Sequence, residues 1–210
     1  MAAPFVGELQ LMADEIEGEE FESFEYNWLS SFPFREFWRL YRHHKEGRPE
    51  VAEASILATL QSSDAMDWLI SNVESCRTLV PSSTILKDAI WAHTQQKYTL
   101  SVPAILPQIE GALRRRALEL GVLVDLRMRR MPDGKLHKAD VAYIVRKLCP
   151  ARHRLKAFFV SFLTGKLFRE RNPILHGNDP EYGTELMSAQ CILAVNEIVA
   201  VCDRWSVEGS

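Results

Sequence analysis

Apolar positions recur along most of the chain at intervals of three and four, the period of a helix that buries one face. From Pro33, well placed at a helix start, the residues Phe34, Phe37, Trp38 and Tyr41 keep that spacing until Gly47 and Pro49 break it. Val51, Ala54, Ile56, Leu57 and Leu60 make a second amphipathic segment. A third, capped by Asp64, carries Trp68, Leu69 and Val73, and a fourth, capped by Ser83, carries Leu86, Ile90 and Trp91. A long fifth helix is predicted from Thr99 to Gly121, with Leu100, Ile105, Leu106, Ile109, Leu113, Ala117 and Leu120 on one face and Pro103 and Pro107 bending or starting it. Two more are expected over 137–148 and 152–170, the second built on Leu155, Phe158, Phe159, Phe162, Leu163 and Leu167. The last runs from about Pro180 to Trp205 through Leu186, Cys191, Ile192, Val195, Ile198, Val199 and Cys202.

The interruptions are as informative as the periods. Residues 1–27 mix acids and aromatics with Gly7 and Gly18 without a sustained period, which predicts an extended or loosely docked segment. Met131-Pro132-Asp133-Gly134 is a turn signal, so a loop or short arm is expected over 122–136. No alternating β-branched run is long enough for a sheet, and no internal repeat is present. The expectation is an all-α fold. It divides into an acidic extended segment (1–32), an N-terminal helical region (33–82) and a helical bundle (83–210).

Composition narrows the class. A chain of 210 residues with 47% hydrophobic and 25% charged content is ordinary for a globular protein. Its apolar runs fall far short of the roughly 18 residues that a bilayer span requires. No basic, apolar leader opens the sequence, since the first Lys or Arg is Arg35; a cytoplasmic protein is expected. Cys76, Cys149, Cys191 and Cys202 are scattered, with no Cys-x-x-Cys pair, and read as reduced structural thiols. The net charge of −3 hides an asymmetry: residues 1–34 hold eight acids and no Lys or Arg, whereas residues 111–171 hold sixteen Lys or Arg against five acids, a balance of +11. Charge clustered in this way is the electrostatic footprint of a nucleic-acid surface; it is equally the pattern of ordinary solvated helix faces.

One stretch carries candidate chemistry. In Arg169-Glu170-Arg171-Asn172-Pro173-Ile174-Leu175-His176-Gly177, Pro173 is expected to force Asn172 out of the helical region, and Gly177 supplies a permissive backbone position. A tight fold there brings Arg171 and His176 together. An imidazole can move protons near neutral pH and a guanidinium can hold a phosphate through two hydrogen bonds, which suffices for metal-free RNA cleavage. Asn172 would orient the histidine or the substrate. The same residues fit a structural role, with Arg171 paired to Glu170 or Asp179 and His176 capping a helix end. Other histidines are weaker candidates. His43-His44 with Glu46 reads as a solvated helix end, and His93, His137 and His153 as surface or capping residues. Trp28, Phe32, Phe34, Phe37 and Trp38 read as packing aromatics. No metal or cofactor is expected.

Arg171, polar Asn172, three further residues and His176 resemble the HEPN signature of arginine, polar residue, short spacer and histidine, and Gly177 follows as in many bacterial versions. The helical context over about residues 85–205 is similar, and Glu110-Gly111 resembles the earlier helix whose acidic residue faces the site in that family. The resemblance implies a HEPN-type bundle and a metal-independent endoribonuclease of toxin or phage-defence kind. Arg171, Asn172 and His176 would be catalytic, Glu110 supporting, and Arg114, Arg115, Lys166 and Arg169 the contacts to RNA. It also implies a homodimer and a possible antitoxin or regulatory partner. Members regulated by tyrosine adenylylation carry a tyrosine two residues after the histidine; here Asn178 stands there and the nearest tyrosine is Tyr182, so that regulation is not expected. The alternative is a catalytically silent HEPN module that binds nucleic acid or a protein.

Overall fold

A computed structural model describes residues 19–29, 34–148, 154–178 and 181–202, and at 19–20, 34–35, 154–157, 170–172 and 200–202 it describes the backbone alone. Helices α1 (Glu19–Ser23), α2 (Phe34–Lys45), α3 (Pro49–Leu60), α4 (Ser63–Ser75), α5 (Ser83–Thr94) and α6 (Tyr98–Glu119) lead to a two-stranded antiparallel hairpin, β1 (Met128–Arg130) and β2 (Leu136–Lys138). Then follow α7 (Val141–Leu148), α8 (Arg154–Ser161), a π-helical segment (Phe162–Leu167), α9 (Phe168–Leu175) and α10 (Glu185–Cys202). The fold is all-α, with the small hairpin as the sole sheet among the described residues.

Helix α6 is where the sequence period meets the core. Val102, Ile105, Leu106, Ile109, Ala112, Leu113 and Ala117 recur at three- and four-residue steps and are all fully buried. They face α5 and α10, the two helices packed most extensively on α6, while α7 and α9 cover further parts of it. Leu100, assigned by its spacing to the same face, is instead 59% exposed in the first turn. Helix α10 is buried on every side from Met187 to Ile198 and packs against α3, α4, α5 and α6, so residues 33–82 and the later helices share one core.

Pro103 shows how that core is completed. It lies inside α6 and has no N–H for the carbonyl of Thr99, four residues back. The Tyr182 hydroxyl donates to that oxygen instead, at 3.0 Å. Gly183 then lies so close that a Cβ there would collide with Thr99 Cγ2 and sit 3.3 Å from the Thr99 nitrogen. Residues 181–184 are therefore an extended strap over α6, not the first turn of the last helix, which begins at Glu185.

Several ends differ from expectation by a residue or a partner. The cap of α4 is Ser62, whose hydroxyl accepts from the Ala65 N–H at 3.3 Å, and Asp64 sits in the first turn. Ser83 is the first residue of α5; Ser82 precedes it, with its hydroxyl accepting from Arg115 at 3.1 Å. Helix α7 starts at Val141, not 137, because Asp140 Oδ1 accepts the Tyr143 N–H at 2.6 Å and residues 136–138 pair as β2. The hairpin closes through Met131–Gly134, with Gly134 at φ +82°.

The part of the acidic segment that is described does not dock loosely. Residues 19–23 form a short helix, and Phe21, Phe24, Tyr26, Trp28 and Leu29 are each at most 2% exposed. Phe21 packs edge-on to Tyr41 of α2 and to Phe158 of α8, and Trp28 lies flat on Phe162 with ring centroids 3.9 Å apart. Aromatic rings bury large areas without needing a helical period, and that is why this segment escaped a reading based on periodicity. Phe37 is buried and Trp38 half-buried, as packing residues should be; Phe32 and the Phe34 side chain lie outside the described residues. Replacing Trp28 with alanine removes the stack and leaves a cavity against α8 and the π-helical segment. The expected loss is about 3–5 kcal/mol of unfolding free energy in urea denaturation, against less than 1 kcal/mol if the segment contributed nothing to the core.

Candidate functional site

The motif stretch sits in the last turns of a continuous helical path that starts at Arg154. Helix α9 runs through Pro173 to Leu175, and the backbone of Asn172 is helical, contrary to the break expected from the residue before proline. Burial explains the outcome. Leu167 just before α9, 1% exposed, and Ile174 near its end, 5% exposed, are set in the core on either side of the ring. The helix then stops at a closed cap: the Gly177 N–H donates to the Ile174 carbonyl at 3.1 Å and the Asn178 N–H to the Pro173 carbonyl at 2.8 Å. Gly177 takes φ +71°, the left-handed position that such a cap requires. His176 is thereby the C-cap residue, with an exposed side chain in the turn. The side chains of Arg171 and Asn172, with that of Glu170 and all of Asp179, lie outside the described residues.

Beside the first turn of α9 opens a cleft of about 1180 Å³. Glu110 and Arg114 of α6 form its floor, Arg127, Met128 and Lys138 of the hairpin one wall, and Thr164, Gly165, Phe168 and Arg169 the other. The floor is tied down. Arg114 donates to Glu110 at 2.7 Å and to the carbonyls of Leu126 and Ala139 at 3.0 and 3.2 Å, which fastens the base of the hairpin to α6. The far wall is widened by the π-helical segment, in which the Thr164 hydroxyl donates to the Val160 carbonyl at 2.9 Å. Insertions of this kind are frequent at functional sites.

The cations expected to contact RNA thus divide. Arg115 donates to the Thr78 carbonyl at 2.9 Å and to Ser82, Arg116 pairs with Glu119 at 3.2 Å, and Lys166 pairs with Glu25 at 2.6 Å. Arg114 is held as described. Of the four named from the sequence, Arg169 alone stands exposed in the cleft without an ion pair among the described residues. Arg127 and Lys138 are exposed in the same way, and the sequence reading did not single them out. Their signal was a turn flanked by bases on both sides.

A second polar group was also missed. His93, expected at the surface, is 4% exposed, and its Nδ1 lies 2.8 Å from the Ser188 hydroxyl, which donates to the Ser101 hydroxyl at 2.9 Å. This chain of three ties α5, α10 and α6 together in the core. Burial lowers the His93 pKa below its usual value near 6.5, while the Glu185 charge opposes the shift. His43 lies 3.8 Å from Glu46 and His44 bonds to Ser23 at 3.0 Å; His137 pairs with Arg129 across the hairpin, and His153 lies outside the described residues. Among the described residues no three His, Cys, Asp or Glu side chains are grouped to hold a metal ion, and no helix is long and apolar enough to cross a membrane. No family model, curated protein or solved structure matches the chain.

The buried histidine fixes a pH dependence. Because the folded pKa is depressed, the unfolded chain binds the extra proton first, so stability is complete above about pH 6.5 and falls as the pH drops below it. The fall in melting temperature between pH 7.5 and pH 5.5 should therefore be smaller in His93→Gln than in the native protein. Equal falls would show that His93 does not carry the dependence.

Proposed function

We propose that this chain is a HEPN-like, metal-independent endoribonuclease of toxin or phage-defence kind, acting on RNA in the cytoplasm as a homodimer. The observation that carries the reading is the place of His176. It is exposed at the closed end of α9, the helix whose first turn supplies Arg169 to a cation-lined cleft about 10 Å away along the axis. Substrate phosphate held beside α9 is then within reach of a group that can transfer a proton.

In the reaction the RNA 2′-oxygen attacks the adjacent phosphorus and the bond from phosphorus to the 5′-oxygen breaks. A proton leaves the 2′-hydroxyl and a proton arrives at the departing 5′-oxygen; His176 performs one of these transfers, and Arg171 offsets the charge that builds on the phosphoryl oxygens. The products are a 2′,3′-cyclic phosphate and a 5′-hydroxyl. Asn172 serves as a positioning residue, and Glu110, paired with Arg114, supports the cleft floor. A toxin of this kind is held in check by an antitoxin or another regulatory partner. Tyr182 is engaged with the Thr99 carbonyl and is not the modified residue in this reading.

A specific observation favours the second reading, a catalytically silent module that binds nucleic acid or a protein: Arg114, Arg115, Arg116 and Lys166 all serve internal contacts, which leaves fewer cations for substrate than the sequence count suggests. Activity separates the two. Purified protein should cut RNA in the presence of EDTA, and His176→Ala and Arg171→Ala should each lower the rate by about 10²–10⁴ with the fold retained, while Asn172→Ala does less. Full activity in His176→Ala, or no cleavage with any partner removed, would leave the silent module as the better account. Light scattering at micromolar concentration should give twice the chain mass of 24.0 kDa; a monomer would count against the homodimer.

A further inference from the structure

The hairpin is short, basic and fixed at its base. Between Arg127 and Lys138 it carries five Lys or Arg side chains against the single acid Asp133. Cross-strand pairing sets Met128 opposite Lys138, Arg129 opposite His137 and Arg130 opposite Leu136, so the two faces of the ribbon have different neighbours. One face is docked: the Arg129 guanidinium lies 3.9 Å over the Tyr143 ring of α7. The other presents Met128 and Lys138 to the cleft.

Across the cleft stands the π-helical wall. Gly165 is exposed there with nothing within 4 Å of where a Cβ would be, so a ligand backbone can approach the helix closely at that point. Half-buried Phe168 lines this wall, and the exposed Arg169 guanidinium has no ion pair among the described residues. Three cations without ion pairs among the described residues, Arg127 and Lys138 on one wall and Arg169 on the other, thus face a common space. That space, about 1180 Å³, exceeds the roughly 300–1,000 Å³ of pockets for single small ligands.

From this arrangement we infer that the cleft between the hairpin and the π-helical segment is a groove for single-stranded polynucleotide. The hairpin acts as one jaw on the phosphates, Arg169 as the other, and the strand continues along α9 toward His176. The assignment rests on the ribonuclease reading for its end point but not for its binding chemistry. Cations on both walls, Arg127 and Lys138 on one and Arg169 on the other, with the Phe168 ring beside Arg169, fit a strand with repeated phosphates and stackable bases better than an acidic peptide, which offers carboxylates but no bases.

Binding is tested apart from cleavage by fluorescence anisotropy with a labelled 2′-O-methyl oligoribonucleotide, which lacks the attacking hydroxyl. The triple variant Arg127→Gln, Lys138→Gln, Arg169→Gln should bind at least tenfold more weakly than the native protein. Its slope of log affinity against log salt should be shallower by about 2, at about 0.7 per lost phosphate contact. A control with Arg42→Gln, Arg77→Gln and Lys87→Gln makes the same charge change outside both the cleft lining and the hairpin and should bind as the native protein does. Circular dichroism checks that each variant keeps its helices. Unchanged binding in the cleft variant, equal losses in both variants, or tighter binding of polyglutamate than of the oligonucleotide would each overturn the assignment. If the native protein bound no oligonucleotide at low salt, the groove and the ribonuclease reading would fall together. Cleft-dependent binding without cleavage would sustain the groove and sink the catalytic reading alone.

Discussion

Helix α6 packs most extensively against α5 and α10 and in part against α7 and α9, and it supplies Glu110 and Arg114 to the cleft floor. A helix enclosed in this way must satisfy each backbone carbonyl inside the protein or at a strap. Pro103 breaks that rule at Thr99, and the Tyr182 hydroxyl repairs it. The repair fixes residues 181–184 against α6, which sets where α10 begins and how much chain is left to leave α9. Gly177 and Asn178 are held by the α9 cap, and residues 181–184 lie against α6. His176 stands exposed in the turn that this cap closes.

Legibility from sequence followed the physics of each element. Long amphipathic helices were readable because burial of one face imposes a period, and α2 to α6 lie within a few residues of where that period puts them. The N-terminal aromatics were not readable as a docked segment, since Trp28 gains its stability from one flat stack on Phe162 far along the chain, and such a contact leaves no local pattern. Strands of three residues are shorter than any alternation can reveal, so only the turn of the hairpin was visible. The π-helical segment has no sequence signature of its own, and Pro173 misled because local backbone preference yields to the burial of Leu167 and Ile174 on either side. Arg171, Asn172 and His176 were found as a motif; of these His176 is placed by the structure, and the other two side chains lie outside the described residues.

Charge was the least faithful signal, because a sequence counts cations without saying which ones the fold has already engaged. The excess of +11 over residues 111–171 includes Arg114, Arg115, Arg116 and Lys166, each held by carboxylates or carbonyls of the same chain. Arg114 is the plainest case. It crosses from α6 to the hairpin and satisfies two carbonyls at the hairpin base, a task for which the five-donor guanidinium suits better than lysine. The consequence for function is a narrower footprint, confined to side chains with no such duty.

Those side chains are not scattered. Arg127 and Lys138 flank the hairpin at its base, where the Arg114 contacts hold the backbone, and Arg169 opens α9 directly after the π-helical segment. The internally engaged cations thus lie on α6 and the π-helical segment, and the exposed ones at the hairpin and on α9. The half-buried Arg114–Glu110 ion pair lies on the cleft floor, with Arg127, Lys138 and Arg169 exposed on its walls. On the proposed ribonuclease reading, a strand gripped by the hairpin and the start of α9 would reach the C-cap of α9 in a defined register, so that a single histidine there could act on one phosphate and not its neighbours.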